Sequence, residues 1–394
     1  MGGGMSVARA RVEYWEKWGG SEREAMQAVV QAFNQSQDQH EVVMRDTGDW
    51  SSSPDLPAFL SAQREGTPPD VIGLEDHQVA DLASLGAIAP LGSLPHIADC
   101  RDGFTSLGLY SGALYAAPIS VDLVTLYINL SAVRGSPFEG AHLPPTSDEF
   151  DLELVRFERA GKIGLVPSYP GWWPHAWARF FGGAWIDRDG RFTPDRPENV
   201  RAFEWVRGVR DRWAAGLKLL PEGVAALLSS TVNPVGRSKP DPFLSGHVAM
   251  VFDGDWLVKR LIAVPGFEWR PAGFPGAHGR PTCLVVGDLL AVPSGAKSPD
   301  GAAEFVSFAT RPEQLERLAL GQGKISPLRE WSDEFVALHP NPHIREFRDM
   351  LDSADLFTDP RLPGWLACLD RIKTAFVGVW QGKETPQDAL SRIR

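Results

Sequence analysis

The 394-residue sequence contains few cysteines, fewer basic than acidic residues and no long apolar run. Its three cysteines, Cys100, Cys283 and Cys368, lie far apart with no C-x-x-C spacing, so neither a zinc knuckle nor a disulfide framework is encoded. No window approaches the roughly 20 apolar residues that a membrane-spanning helix requires. With 50 acidic and 39 basic residues, the formal net charge of −11 argues against a general nucleic-acid binder.

The common signatures of catalysis are also missing. The sequence has no G-x-S-x-G elbow, no H-E-x-x-H zinc helix and no G-x-G-x-x-G dinucleotide fingerprint. Residues 321–324, Gly-Gln-Gly-Lys, resemble the end of a phosphate-binding loop, but the upstream glycine is absent and Ile325 follows the lysine. We therefore predict no catalytic residue, no metal ligand and no cofactor.

Hydrophobic periodicity predicts alternating strands and helices. A strand at 11–15 precedes a helix whose apolar stripe comprises Ala25, Met26, Val29, Val30 and Phe33. Further strands are predicted at 41–45, 70–74, 114–129 and 284–293, and further helices at 56–65, 78–85, 147–159 and 197–213. After Pro299, a helix is predicted to bury Ala302, Ala303, Phe305, Val306 and Ala309. This alternation is typical of α/β folds, in which ligands bind beyond the carboxyl ends of parallel strands.

Tryptophan is abundant, with 14 residues against only 5 tyrosines. An indole ring can stack on the C–H face of a sugar, and a carboxylate can accept hydrogen bonds from neighbouring hydroxyls. Trp and acidic residues that occupy predicted loop positions, mostly after strands, are Trp15, Trp18, Glu22, Asp49, Trp50, Glu75, Asp76, Asp122, Trp172, Trp173, Asp253, Asp255, Trp256 and Asp288. They are the candidate ligand-binding residues.

Structural interpretations of the same residues remain open. Trp205 and Trp213 lie on helical stripes and are expected in the core, and Trp15 can belong to its strand. Of the adjacent Trp172 and Trp173, one is expected to face ligand and the other to pack.

The carboxylates have structural alternatives too. Glu22 lies in the first turn of its helix, where the helix dipole alone would favour it. Asp49 can cap a helix near residue 51, and Asp253 and Asp255 can be turn residues around Gly254.

Several short motifs occur in one order along the chain. They are W-E-K-W-G-G-S-E at 15–22, G-T-P-P-D-V-I at 66–72, L-Y-A-A-P at 114–118, L-Y-I-N at 126–129, F-F-G-G at 180–183, D-G at 189–190, F-L-S-G-H-V-A-M at 243–250, G-D-W at 254–256, A-V-P-S-G-A-K at 291–297 and G-K-I-S-P-L-R at 323–329. In this order the chain resembles the extracellular solute-binding proteins of ABC importers, specifically the carbohydrate-binding family that includes maltose-, trehalose- and glucose-binding receptors.

The resemblance implies a two-lobed periplasmic-binding-protein-like α/β fold, each lobe a mostly parallel sheet flanked by helices. Residues 9–118 and 268–322 would form the N-terminal lobe, and 119–267 and 323–394 the C-terminal lobe. The first hinge crossing would lie at 114–122, and residues 1–8 would be an added leader. The lobes of the family close over their ligand.

Matching the family's sugar-contacting positions residue by residue implies ten ligand-binding residues here: Trp18, Glu22, Asp49, Asp122, Trp172, Trp173, Trp256, Gly287, Asp288 and Arg329. Trp50, Asp253 and Asp255 join them from the residue-level argument. Thr47-Gly48-Asp49-Trp50 departs from the family's small polar run, which leaves the ligand's length open.

We therefore expect a monomeric receptor of an ABC sugar importer that captures a mono- or oligosaccharide between closing lobes and delivers it to a membrane permease. The resemblance implies a periplasmic or extracellular location, with a lipid anchor as an option, no enzymatic activity and no nucleic-acid partner. Two alternatives stay open: a carbohydrate-active hydrolase, which also uses Trp and carboxylates, and a binding protein for a cationic solute such as a polyamine.

Overall fold

The computed structural model describes residues 9–46, 56–159, 162–166, 173–218 and 241–394. The strands are β1 Ala10–Glu16, β2 His40–Asp46, β3 Val71–Glu75, β4 Ile88–Ala89, β5 Leu109–Tyr110, β6 Ala113–Leu114, β7 Ala116–Asn129, β8 Ile163–Val166, β9 Val248–Asp253, β10 Trp269–Ala272, β11 Phe274–Pro275, β12 Pro281–Pro293 and β13 Asp355–Phe357. The helices are α1 Gly20–Ser36, α2 Leu56–Arg64, α3 Asp76–Ser84, α4 Asp102–Thr105, α5 Ser147–Arg159, α6 Pro174–Phe180, α7 Pro197–Leu217, α8 Val258–Ile262, α9 Pro299–Ala309, α10 Pro312–Gln322, α11 Asp333–Leu338, α12 Ile344–Ser353, α13 Trp365–Trp380 and α14 Pro386–Arg392.

Hydrophobic periodicity predicted some of these elements, namely β1, β2, β3, β7 and β12 among the strands and α1, α2, α3, α5, α7 and α9 among the helices. The five apolar residues predicted to form the stripe of α1 are its five buried residues. The prediction for α9 was wrong at one position, because Ala303 is exposed. Gly301 and Phe308 are instead buried on that helix, and Gly301 lies so close to Val12 of β1 that a Cβ atom there would overlap it.

The chain divides into two compact units. Unit 1 comprises the described residues of Met1–Asp122, Val286–Pro340 and Asp359–Trp365. Its sheet has the order β2-β1-β3-β12, in which β1 is parallel to both β2 and β3, while β12 is antiparallel to β3. Helix α1 follows β1 and α3 follows β3, so both helices begin at the same edge of this sheet.

Unit 2 comprises the described residues of Leu123–Val285, Asn341–Thr358 and Leu366–Arg394. Here β8 is parallel to β9, and β7 pairs antiparallel with both β9 and β10. Its core is rich in aromatic rings, with the rings of Phe180 and Phe274 stacked at 4.3 Å between centroids and that of Trp177 beside them.

The units differ from the predicted lobes in four segments. Residues 268–285 lie in unit 2, because Trp269–Ala272 pairs with β7. Residues 119–122 and 323–340 lie in unit 1, where Lys324 forms ion pairs with Glu22 and Asp288. Residues 359–365 also lie in unit 1. The closing motion of the lobes stays a prediction.

Two further sequence expectations bear on the fold. None of the described helices is long and apolar enough to cross a membrane. All three cysteines are free thiols, and Cys100 and Cys283 are buried. Residues 1–8, the predicted leader, lie outside the described residues.

Candidate functional site

The turn that follows β1 is organised by the buried carboxylate of Glu16. Its Oε1 accepts hydrogen bonds from the backbone N–H groups of Lys17 (2.7 Å) and Trp18 (2.9 Å), and its Oε2 accepts one from the Tyr14 hydroxyl (2.5 Å). Burial raises the pKa of Glu16, although these hydrogen bonds oppose the shift. Glu16 therefore fixes the positions from which Lys17 and Trp18 project at the carboxyl end of β1.

Asp288 on β12 lies at the centre of the polar residues of this edge. Its Oδ1 is 2.5 Å from Lys17 Nζ, and its Oδ2 is 2.9 Å from Lys324 Nζ and accepts a hydrogen bond from Ser120 Oγ (2.8 Å). Burial by itself would raise the pKa of Asp288, but the two ammonium groups outweigh it and hold this pKa well below its usual range. Asp288 is therefore ionised, and it joins two lysines.

Both lysines reach further carboxylates. Lys324 Nζ is 3.1 Å from Asp122 Oδ2 and 3.2 Å from Glu22 Oε2, and Lys17 Nζ is 3.8 Å from Glu75 Oε1. We call the six residues the charge cluster: Lys17, Glu22, Glu75, Asp122, Asp288 and Lys324. Five different segments of unit 1 supply it, and two ammonium groups face four carboxylates.

Trp18 packs against the two ammonium groups of this cluster. Lys17 Nζ lies 3.9 Å and Lys324 Nζ 4.8 Å from the ring centroid, both within cation–π distance. The indole Nε1 is buried and has no hydrogen-bond partner among the described residues. The Trp18 ring, which was predicted to contact a sugar, therefore packs in part against two lysines of unit 1.

Gly287 aligns the strand that carries Asp288. Its backbone N–H donates to Asp76 Oδ1 (3.1 Å), and a Cβ atom at this position would overlap the Leu107 side chain. Burial, and then the nearby Asp359, raise the pKa of Asp76 well above its usual value. A larger residue at 287 would therefore require the Leu107 side chain to move.

Two half-buried tryptophans, Trp173 and Trp256, form an aromatic pair in unit 2. Their ring centroids are 6.2 Å apart and their planes are inclined by 31°. Trp173 precedes α6 in a left-handed backbone conformation, and Trp256 lies in a single helical turn after β9. The Trp256 ring covers Gly254 so closely that any Cβ atom there would overlap it. Both side chains are partly exposed.

Asp253 and Asp255 lie beside this pair but are almost fully buried, at 3% and 1% relative exposure. Asp253 Oδ1 accepts a hydrogen bond from the Gly254 N–H (2.9 Å), which is the geometry of the turn interpretation. Asp253 therefore stabilises the turn that precedes Trp256.

The remaining predicted residues are separate from these groups or fall outside the described chain. Arg329 pairs with Asp102 at 2.9 Å, and half of its side chain is exposed. Trp205 and Trp213 are buried, as their helical stripes predicted. Trp15 is half-buried in β1, where its Nε1 donates to Glu13. The predictions for Asp49, Trp50 and Trp172 lie outside the described residues.

Sequence reasoning did not nominate Lys17 or Lys324 as site residues. Both were visible in quoted motifs, Lys17 between two tryptophans and Lys324 in the incomplete phosphate loop. Their burial, at 3% and 1% exposure, is the informative property, because a buried ammonium group requires carboxylate partners. Those partners are far away in sequence.

The described residues include hydrogen-bond acceptors, which are the carboxylates of the charge cluster, and the aromatic faces of Trp173 and Trp256. Among them, no group of three or more His, Cys, Asp or Glu side chains could hold a metal ion. The carboxylate oxygens of unit 1 can accept hydrogen bonds from hydroxyl groups, and the indole rings of unit 2 can pack against apolar C–H faces.

Known proteins resemble this chain over nearly its whole length. The sn-glycerol-3-phosphate-binding periplasmic protein UgpB of Salmonella typhimurium is 22% identical over 421 residues, which cover 98% of this chain and 91% of UgpB. The solved structure of CpMnBP1 with mannotriose bound has a TM-score of 0.81 at 22% identity, covering 98% of this chain and 99% of that one. The sugar-binding protein MalE of Xanthomonas citri has a TM-score of 0.78 at 19% identity, covering 98% and 95%.

These likenesses confirm the α/β fold class. The sequence model of the bacterial extracellular solute-binding proteins matches residues 28–344. This match spans most of the chain and confirms the resemblance that the ordered motifs indicated. The chain belongs to the bacterial extracellular solute-binding protein family.

Proposed function

We propose that this protein is the receptor of an ABC sugar importer, which captures a mono- or oligosaccharide and delivers it to a membrane permease. The observation that carries the proposal is the half-buried pair of Trp173, which precedes α6, and Trp256, which follows β9. Indole rings with centroids 6.2 Å apart provide flat apolar surface that suits the apolar faces of sugar rings.

The solved structures similar in fold support a sugar as the ligand. The structures similar in fold are named for mannotriose, mannobiose and maltose. The receptor would act as a monomer in the periplasm or at the cell surface, and a lipid anchor would suit either location. Of the site residues predicted from the sequence, Trp18, Glu22, Asp122, Asp288, Trp173 and Trp256 remain the proposed ligand contacts or their immediate supports.

A thermal-shift screen with mannobiose, mannotriose and maltose tests the proposal directly. A ligand at 100 times its dissociation constant stabilises the native state by about 2.7 kcal/mol, which is measurable as a higher unfolding midpoint. Glycerol 3-phosphate and spermidine belong in the same screen as representatives of anionic and cationic solutes. A shift with either of them and none with any sugar would contradict the proposal.

The tryptophan pair supplies a prediction for individual residues. We expect Trp256→Ala and Trp173→Ala each to weaken sugar binding by roughly 1–3 kcal/mol, because each removes apolar contact with the ring. Isothermal titration measures the affinity. Tyr110→Ala, an aromatic truncation in the β5–β6 hairpin of unit 1, is the control and should bind as the wild type does. Unchanged affinity in both Trp variants would refute this site.

The hydrolase alternative predicts turnover of the same sugars. As a receptor, the protein should return bound oligosaccharides intact after prolonged incubation, which chromatography of the released sugar can measure. Product formation would establish a carbohydrate-active enzyme instead.

A further inference from the structure

The charge of the ligand is the open question at this site. The curated relatives are named for a phosphate ester, whereas the solved structures similar in fold are named for neutral sugars. All of these share about a fifth of their residues with this chain, so identity does not decide between them. The charge cluster of unit 1 does carry information on this point.

The first observation is that carboxylates of the charge cluster already surround the ammonium groups of its two lysines. An ammonium group has three N–H donors. Three carboxylate oxygens, from Glu22, Asp122 and Asp288, lie within 3.2 Å of Lys324 Nζ. Lys17 is paired with Asp288 and lies near Glu75. Lys324 therefore has no donor to offer a phosphate oxygen unless it gives up an internal carboxylate, while Lys17, which hydrogen-bonds Asp288 and lies 3.8 Å from Glu75, is only 3% exposed.

The second observation concerns the helices that begin at this edge. Helix N-termini that follow parallel strands are the usual phosphate-binding positions of α/β sheets, because their N–H groups and dipole favour an anion. Here α1 carries Glu22 in its first turn, and Glu75 forms a capping box with Gln78 at the start of α3. The N-termini of α1 and α3 therefore each already have a carboxylate of the protein beside them, where a phosphate would otherwise bind.

The third observation is the balance of charge and exposure. Four carboxylates face two ammonium groups, so a phosphate would add negative charge to an edge that already has an excess of it. The lysines and Asp288 are at most 3% exposed, whereas the side chains of Glu22 and Glu75 are 21% and 16% exposed. The accessible groups of the cluster are therefore hydrogen-bond acceptors, which suit hydroxyl donors.

We infer that the charge cluster makes this receptor select against phosphate-bearing solutes. Glu22 and Glu75 are the specificity-determining residues, because their carboxylates pair with the two lysines. The inference rests on the proposed function for the location of the site. The inference goes beyond the proposed function because it predicts which solutes do not bind.

The test compares neutral and phosphorylated probes on the intact chain. Wild type should bind a neutral sugar from the panel and show no titration with mannose 6-phosphate, glycerol 3-phosphate or inorganic phosphate. Glu22→Gln/Glu75→Gln releases one partner of each lysine, so we expect glycerol 3-phosphate to bind at least about tenfold more tightly than to wild type, with an affinity that falls as salt rises. Glu24→Gln, at an exposed position of α1, is the matched control. Like the wild type, it should show no titration with glycerol 3-phosphate.

Each outcome separates this inference from the proposed function. Wild type that binds both a sugar and its phosphate would overturn the inference and leave the receptor function standing. Wild type that binds only spermidine would refute the sugar proposal while supporting exclusion of anions. Wild type that binds only glycerol 3-phosphate would refute both. A double variant that melts cooperatively yet still refuses glycerol 3-phosphate would overturn the assignment to Glu22 and Glu75.

Discussion

At the scale of single residues, Asp288 shows how strongly one buried carboxylate can be tied to its neighbours. Its two oxygens face the ammonium groups of Lys17 and Lys324, and all three side chains are nearly inaccessible to water. Removing one member of such a group leaves the others buried without compensation, which costs more than the net stabilisation the ion pair provides.

We therefore predict that Asp288→Asn lowers the free energy of unfolding by about 3–5 kcal/mol, as seen when a buried ion pair loses one partner. Chemical denaturation measures this quantity. The control is Asp102→Asn, which removes an exposed carboxylate paired with Arg329 and should change the free energy by less than about 1 kcal/mol. Equal effects of both variants would contradict the account of the charge cluster.

Gly254 makes a second residue-scale prediction. Because a Cβ atom there would overlap the Trp256 ring, Gly254→Ala should displace that ring and weaken sugar binding by at least about tenfold, or 1.4 kcal/mol. Tryptophan fluorescence titration reports both the ring's environment and the affinity. Gly103→Ala, where nothing lies within 4 Å of the added atom, is the matched control and should bind normally.

At the scale of elements, α5, α7 and β8 of unit 2 share a buried carboxylate. Glu158 of α5 is 3% exposed, and its Oε2 lies 2.5 Å from Arg212 Nε of α7. Burial raises the pKa of Glu158 to about 7, although the hydrogen bond and charge of Arg212 oppose this shift. The folded protein therefore holds a proton there that the unfolded chain releases near pH 4.5.

This raised pKa predicts the direction of a pH effect. Between about pH 4.5 and pH 7 the folded state binds more protons at Glu158 than the unfolded state, so its contribution to stability is present at the lower pH and is lost as pH rises to 7. Glu158→Gln cannot titrate, so the loss should be smaller in this variant. Denaturation curves across this range measure it, and an identical pH dependence in both proteins would contradict the assignment.

The elements show what a local pattern can determine. The stripe of α1 and the span of α5 were predicted correctly because helical spacing of apolar residues depends on near neighbours. Ala303 was predicted to be buried because its spacing fits α9, yet the helix turns Gly301 towards β1 instead. Which side of a small-residue helix faces the sheet depends on residues nearly 300 positions away.

At the scale of the whole molecule, the net charge of −11 gives a way to test the class of ligand. A neutral sugar exchanges no charge with the protein, so its affinity should change by less than about twofold between roughly 0.05 and 0.5 M salt. A polyamine would lose affinity steeply over that range, because screening weakens its attraction to an acidic protein. Isothermal titration at both salt concentrations measures the difference.

Reading along the chain was enough to predict the α/β class, the strands β1, β2, β3, β7 and β12, the separation of core tryptophans such as Trp205 from loop tryptophans such as Trp256, and the family. Those features follow from local periodicity and from motifs that are read along the chain. Only the tertiary structure decided that Lys17, Asp122, Asp288 and Lys324 share one buried cluster, since these residues are separated by up to 307 positions. A buried charge is tolerated only where the fold supplies its partner, and pairing through space leaves no periodic trace in the sequence.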